Sequence, residues 1–170
     1  MASQVRQNYD EDCEASINKA INMYLQSSYV YLAMSYHMER DDVSLPGFCS
    51  FFKGLSEKDQ KSAKTLMKYQ NKRGGRIVLA AIDAPSQQDW ENPLEALQTV
   101  IDLEKQNNQS ILQLHALGIA KSDAHIRHFL DNEYVLQNVD TIQRLGNLVT
   151  RVKRVGATGL GLHIFDKELQ

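Results

Sequence analysis

Proline is scarce in this chain of 170 residues, which has only three, and its nine glycines gather at a few points instead of spreading. These two residues interrupt helices most strongly, so helices have room to run long. Cysteine is nearly absent, and Cys13 and Cys49 make no disulfide framework. A chain of this length buries enough apolar surface to fold without a disulfide or metal staple. Basic charge is not in excess: 19 Lys and Arg stand against 21 Asp and Glu, a net of -2. That balance excludes nucleic acid as the expected main partner, because a dedicated binder carries a basic stripe. No window approaches the roughly 18 uncharged apolar residues of a membrane-spanning helix. The start, Met1-Ala2-Ser3-Gln4-Val5-Arg6-Gln7, lacks the apolar run of a signal peptide. The expectation is one soluble, cytoplasmic domain over residues 1–170 with no membrane partner.

What is present is helical periodicity. Between Asp10 and Glu39 neither Pro nor Gly occurs, and Ile17, Ile21, Tyr24, Ser28, Tyr31 and Ser35 recur with alternating steps of four and three. A second seam, Phe48, Phe52, Leu55, Asp59, Ser62, Leu66 and Tyr69, starts after Ser44-Leu45-Pro46, where Ser44 is a candidate N-cap, and stops at Gly74-Gly75. From Arg76 to Asp89 the helical period lapses, and Ile77-Val78-Leu79 reads as a short extended apolar piece inside a long connection. Asn92-Pro93-Leu94-Glu95 restarts the chain with a cap, a proline at the first helical position and a glutamate at the third. The third seam is Leu94, Leu97, Ile101, Glu104, Asn108, Ile111 and His115; the fourth, after a Ser122-Asp123 cap, is Val135, Asn138, Ile142, Leu145, Val149 and Val152. Helices are therefore expected at about 10–39, 45–73, 93–120, 123–155 and 160–169. They make an all-α four-helix bundle with one long crossover and a fifth short C-terminal helix.

Polar residues sit on these seams where the period asks for apolar ones. Tyr24 and Tyr31 lie on the first, Asp59 and Ser62 on the second, Glu104 on the third and Asn138 on the fourth, each near mid-helix. Mid-helix positions converge in an antiparallel bundle, so these six side chains can share one buried layer. Carboxylates with a phenol suit a hard cation or iron, whereas a satisfied hydrogen-bond layer would fix helix register without any metal. Carboxylate-bridged di-iron bundles use Glu-x-x-His, which this chain lacks; its counterpart can only be Asp59-x-x-Ser62. A serine cannot replace histidine as a strong ligand, and two carboxylates are too few to hold two irons. If buried, Glu104 needs a partner, from the Tyr24 or Tyr31 hydroxyl or from Lys58.

Several strings resemble the ferritin family: Val5-Arg6-Gln7-Asn8-Tyr9, Ser28-Tyr29-Val30-Tyr31-Leu32, Arg40-Asp41-Asp42-Val43, Gln70-Asn71-Lys72-Arg73-Gly74-Gly75-Arg76, Leu103-Glu104-Lys105, Asn108-Gln109-Ser110 and Phe165-Asp166-Lys167. They follow family order through the whole chain and look like a eukaryotic cytosolic ferritin subunit. The resemblance implies a hollow shell of 24 subunits that stores ferric mineral as cargo, with no organic cofactor. Heavy-type subunits of the family oxidise ferrous iron at a di-iron site inside the bundle. Relative to them, Tyr24 stands for a glutamate, Asp59 for a glutamate, Ser62 for the histidine and Asn138 for a glutamine, while Tyr31 and Glu104 are kept. Ferroxidase activity is accordingly expected to be weak or absent, as in light-type subunits, which co-assemble with an oxidising heavy-type partner; a homo-oligomer is the alternative.

The resemblance places three further regions. Light-type mineral nucleation would fall around Ser50, Lys53, Gly54, Glu57, Lys58, Lys61 and Lys64, where four of seven residues are lysine. Such a patch attracts anions and repels iron ions; the bland alternative is a solvated helix face, and both can hold because the cavity is wet. The three-fold pore would be lined by His128 and Asp131, with Arg127 alongside and His115 farther in. Leu160, Ile164 and Phe165 would pack at the four-fold axis, with Glu168 beside them. A retained but weakened ferroxidase using Glu104, Asp59, Tyr31 and Asn138, and a structural cage that has lost iron handling, are the rival readings.

Overall fold

The computed structural model of the chain describes residues 2–170, and among them there is helix but no strand. Its elements are α1 (Glu11–Glu39), α2 (Pro46–Lys72), α3 (Pro93–Ala120), α4 (Ala124–Leu130), a π-helical turn (Asp131–Val135), α5 (Leu136–Val155) and α6 (Gly159–Leu169). The segments α4, π-turn and α5 form one rod, so four long rods and one short helix appear where the periodicity predicts them. The π-turn, unlike the rest, has no marker in the sequence. No described helix is long and apolar enough to cross a membrane.

The helix starts follow from caps. Asp10 accepts from Asp12 N, Asn92 from Glu95 N and Asp123 from Ile126 N, satisfying backbone donors that an α-helix leaves open. Ser44 does not cap α2. It takes a left-handed conformation (φ 50°), Leu45 occupies the cap position, and no side chain caps this helix. The tight α1–α2 turn needs a residue at positive φ more than it needs a cap, and Pro46 removes one of the donors a cap would serve.

The connection 73–92 climbs along α1. Asn18 exchanges hydrogen bonds with Arg76 O (3.0 Å) and Val78 N (3.2 Å), and Gln26 does the same with Asp83 O and Asp83 N (both 2.9 Å). At the top, His37 Nε2 lies 3.0 Å from Trp90 O. These amide clamps run in order along α1, so α3 begins beside the end of α1 and the rods run up, down, down and up. Ile77-Val78-Leu79 forms no strand and leaves Val78 and Leu79 exposed.

The core consists of two apolar clusters. The upper holds Tyr31, Met34, Met38, Phe48, Phe52, Trp90, Leu97, Leu145, Val152 and Phe165; the lower holds Tyr9, Cys13, Ile17, Ile21, Tyr24, Leu66, Tyr69, Ile111, Ile126 and Tyr134. Between them lie the buried polar residues Ser27, Ser28, Ser56, Asp59, Glu104, Asn107 and Asn138. The third seam is rotated from its expected line: Asn107 and Leu114 are buried, while Asn108 and His115 are only half-buried.

Candidate metal site in the buried polar layer

Four rods deliver side chains to this layer. Tyr31 of α1 donates its hydroxyl to Glu104 Oε1 of α3 at 2.8 Å, and both residues are buried. Lys58 of α2 brings its Nζ to 3.8 Å from Glu104 Oε2 while donating to Thr141 Oγ1 at 2.9 Å. Of the three expected partners of Glu104, Tyr31 and Lys58 meet it. Tyr24 does not reach it: the Tyr24 hydroxyl is buried with no hydrogen-bond partner, and its ring packs on Tyr134 at a centroid separation of 5.6 Å.

Asp59 is the anomaly of the layer. It is 0% exposed, and neither carboxylate oxygen has a hydrogen-bond partner. Burial raises its pKa from 3.8 to about 8, and the nearby Glu104 adds to the effect while Lys58 opposes it. A buried carboxyl with two open acceptor atoms is protonated at neutral pH or matched by a cation.

Ser62 and Asn138 take other roles. Ser62 is half-buried, and its backbone carbonyl accepts the Tyr134 hydroxyl at 2.7 Å. Its side chain lines a cleft of about 420 Å³ with Gly54, Glu57, Lys58, Lys61 and Glu133. Asn138 is buried and donates to Asn108 Oδ1 at 3.2 Å. Ser27, Ser56 and Asn107 complete the layer, with Asn107 Nδ2 donating to Ser27 Oγ (2.8 Å) and Ser56 Oγ to Ser28 O (2.8 Å). The sequence reading missed these three because a short polar side chain beside a seam looks like solvated surface. Among the described residues, no three His, Cys, Asp or Glu side chains cluster to hold a metal ion.

Outside the layer, the expected sites are placed as follows. Ser50, Lys53, Gly54, Glu57, Lys61 and Lys64 lie on one exposed face of α2, and Lys58 is set apart by its half-buried position. Near the π-turn, His115 Nε2 comes within 3.1 Å of Asp131 Oδ1, and His128 Nε2 within 2.9 Å of Asn132 Nδ2, while Arg127 is exposed. On α6, Leu160 and Ile164 are exposed, but Phe165 turns inward onto Phe48 (5.9 Å) and Glu168 pairs with Arg151 (2.6 Å). Phe165 packs into the upper core because α6 docks across the start of α2, so it is withdrawn from the apolar face that α6 presents.

The chain is a four-helix bundle with one long crossover, and a carboxylate and phenol layer divides its core at mid-height. A model of the ferritin-like domain matches residues 14–155. The chain is 51% identical over 170 residues to a ferritin of Pacifastacus leniusculus, covering 100% of this chain and 93% of that protein. It is 50% identical over 163 residues to the ferritin-1 heavy chain of Schistosoma mansoni, covering 96% of this chain and 94% of that protein. Against the ferritin lower subunit of Aquarana catesbeiana it is 44% identical over 169 residues, covering 98% of each. The chain belongs to the ferritin family, the iron-storing four-helix bundles.

Proposed function

We propose that the chain is an iron-storage cage subunit with weak or absent ferroxidase activity of its own. The observation that carries this reading is the state of the buried layer: two carboxylates, Asp59 and Glu104, with the Lys58 ammonium 3.8 Å from the second. A di-iron site needs several anionic or imidazole ligands, and an internal cation competes with iron for Glu104. Tyr24 fills space near Asp59 with a phenol instead of a carboxylate, and Ser62 offers no imidazole.

In this reading 24 subunits form a cytoplasmic cage, alone or with an oxidising heavy-type partner, and ferric mineral is its cargo. The names of two relatives from one organism, the lower and middle ferritin subunits of Aquarana catesbeiana, support mixed assembly. Iron would pass a three-fold pore lined by His128, Asp131, Arg127 and His115, and Leu160 and Ile164 would meet their copies at the four-fold axis. The exposed α2 face bearing Lys53, Lys61 and Lys64 would look onto the cavity and nucleate ferric mineral poorly. Iron content per cage tests this. Co-assembly with a heavy-type subunit should raise it well above that of the pure chain under aerobic ferrous loading; equal filling would refute the dependence on a partner.

One observation favours a second reading, a weakened ferroxidase on Glu104, Asp59 and Tyr31: both Asp59 oxygens are open acceptors in the layer. Replacement Glu104→Ala separates the two. It abolishes residual ferrous oxidation if the layer is the site and leaves the rate unchanged if the oxidation occurs on mineral.

A further inference from the structure

Below the polar layer the lower core holds a ladder of aromatic rings that leads to the surface. Tyr24 lies 5.6 Å from Tyr134 by ring centroid, Tyr134 lies 5.7 Å from Phe129, and Phe129 stacks on Tyr69 at 3.9 Å with 12° between planes. The ladder joins α1, the π-turn, α4 and α2. Its inner end, Tyr24, is buried beside the layer, and its outer end meets His125, which is exposed. Packing alone explains aromatic contacts of this kind. The hydroxyl groups, by contrast, differ in a way that packing does not require.

A phenol oxidised by one electron becomes a stable neutral radical only if its proton has a base to go to. Tyr24 has no hydrogen-bond partner, and Tyr134 donates to the Ser62 carbonyl, which cannot take a proton. Tyr9, which packs edge-on against Tyr69, donates to the amide oxygen of Gln70, which is equally unable. The Tyr69 hydroxyl alone in this ladder faces an imidazole, His125 Nδ1 at 3.1 Å, while its oxygen accepts from Arg73 Nη1 at 2.5 Å. Arg73 is held by Asp123 through two hydrogen bonds of 3.1 and 2.8 Å, so it is fixed as a donor and leaves His125, among the described residues, as the acceptor for the phenolic proton. With its proton on Nε2, toward solvent, a neutral His125 presents a lone pair at Nδ1.

We propose that this ladder is a one-electron relay between the buried polar layer and solvent, with Tyr69 as its terminal redox group and His125 as the proton acceptor. A one-electron oxidant at the inner end, such as a peroxide-derived radical, takes an electron from the ladder. The vacancy passes from Tyr24 and Tyr134 across Phe129 to Tyr69. There the O–H bond gives its proton to His125 Nδ1, leaving a neutral phenoxyl radical and an imidazolium. A soluble one-electron reductant of the ascorbate class then returns an electron to Tyr69, and His125 returns the proton, restoring the resting state. Because Tyr69 is the ladder phenol whose hydroxyl meets a base, oxidising equivalents come to rest at the outer end and are removed there from the core. The relay does not depend on whether the layer oxidises iron.

Flash photolysis tests it on the full, assembled chain without iron. A ruthenium polypyridyl sensitiser is tethered at Gln137→Cys, a position that lines the cleft beside Tyr134. Cys49→Ser removes the half-buried competing thiol, and Tyr29→Phe with Tyr36→Phe removes exposed phenols. Oxidative quenching should give a long-lived tyrosyl radical that ascorbate discharges quickly. Tyr69→Phe, which keeps the stacked ring, should cut the long-lived yield several-fold. His125→Ala should do the same, with added imidazole restoring it. Phe129→Leu should slow the appearance of the radical. An unchanged yield and lifetime in both Tyr69→Phe and His125→Ala overturns the relay, as does a long-lived radical that ascorbate cannot reach.

Discussion

Asp59 is one methylene shorter than glutamate and is sealed from water, with no donor on either oxygen. Its carboxyl stays protonated in the folded chain up to about pH 8 and ionises in the unfolded chain from its ordinary value of 3.8. The native state therefore binds more protons than the unfolded state between these limits. Stability should be greatest below the lower value, fall as the pH rises through the window and level off above it. Asp59→Asn removes the titration; it should raise stability at pH 8 by about 1–3 kcal/mol and flatten the pH dependence of the urea midpoint between pH 5 and pH 8. A variant as pH-dependent as the parent would place the titration elsewhere. Tyr31→Phe acts in the other direction, since it removes the 2.8 Å donor to buried Glu104. A loss of about 1–3 kcal/mol is expected in the same assay. The sequence made Asp59, Glu104 and Tyr31 legible because polar residues on an apolar seam are conspicuous. It could not show that Asp59 would be left without a donor, or that Tyr24 would turn to Tyr134, because those depend on rotamers chosen by neighbours more than 30 residues away.

Between elements, contacts are set by small residues at close approaches. A methyl group at Gly47 would fall 1.9 Å from the carbonyl oxygen of Asp166, and the Asp166 side chain accepts from Phe48 N at 2.9 Å. The start of α2 and the middle of α6 therefore touch backbone to backbone. Gly47→Ala should lift α6 from the bundle, expose Phe165 and cost about 1–3 kcal/mol. Faster proteolysis after residue 155 with the rest of the bundle intact would show it; an unchanged cleavage pattern would show that α6 docks by other means. The boundaries of the long helices were readable from periodicity and from the caps Asn92 and Asp123. The π-turn over Asp131–Val135 was not, since no proline or glycine marks it and the packing of its Tyr134 on Tyr24 of α1 is a tertiary contact. On the third seam the step from Glu104 can be three or four residues by sequence alone, and the structure buries Asn107, three residues on, with Asn108 only half-buried.

In the proposed cage, the charge on α2 would govern what the cavity can hold. Lys53, Lys61 and Lys64 lie exposed on α2 without ion-pair partners among the described residues, and Glu57 is the one acid among them. If this face lines the cavity, replacing the three lysines by glutamate should speed mineral growth in a co-assembled cage several-fold, read as the rate of ferric absorbance. No change would mean that the face looks outward or that nucleation occurs elsewhere. The chemistry of the bundle itself is read in a cage assembled from this chain alone. Ferrous iron is mixed with the homopolymer in oxygenated buffer, and the first seconds of oxidation are followed by stopped flow. A slow trace with no saturating phase is expected. A fast phase saturating at two irons per subunit would show that Asp59, Glu104 and their neighbours form a working ferroxidase centre after all.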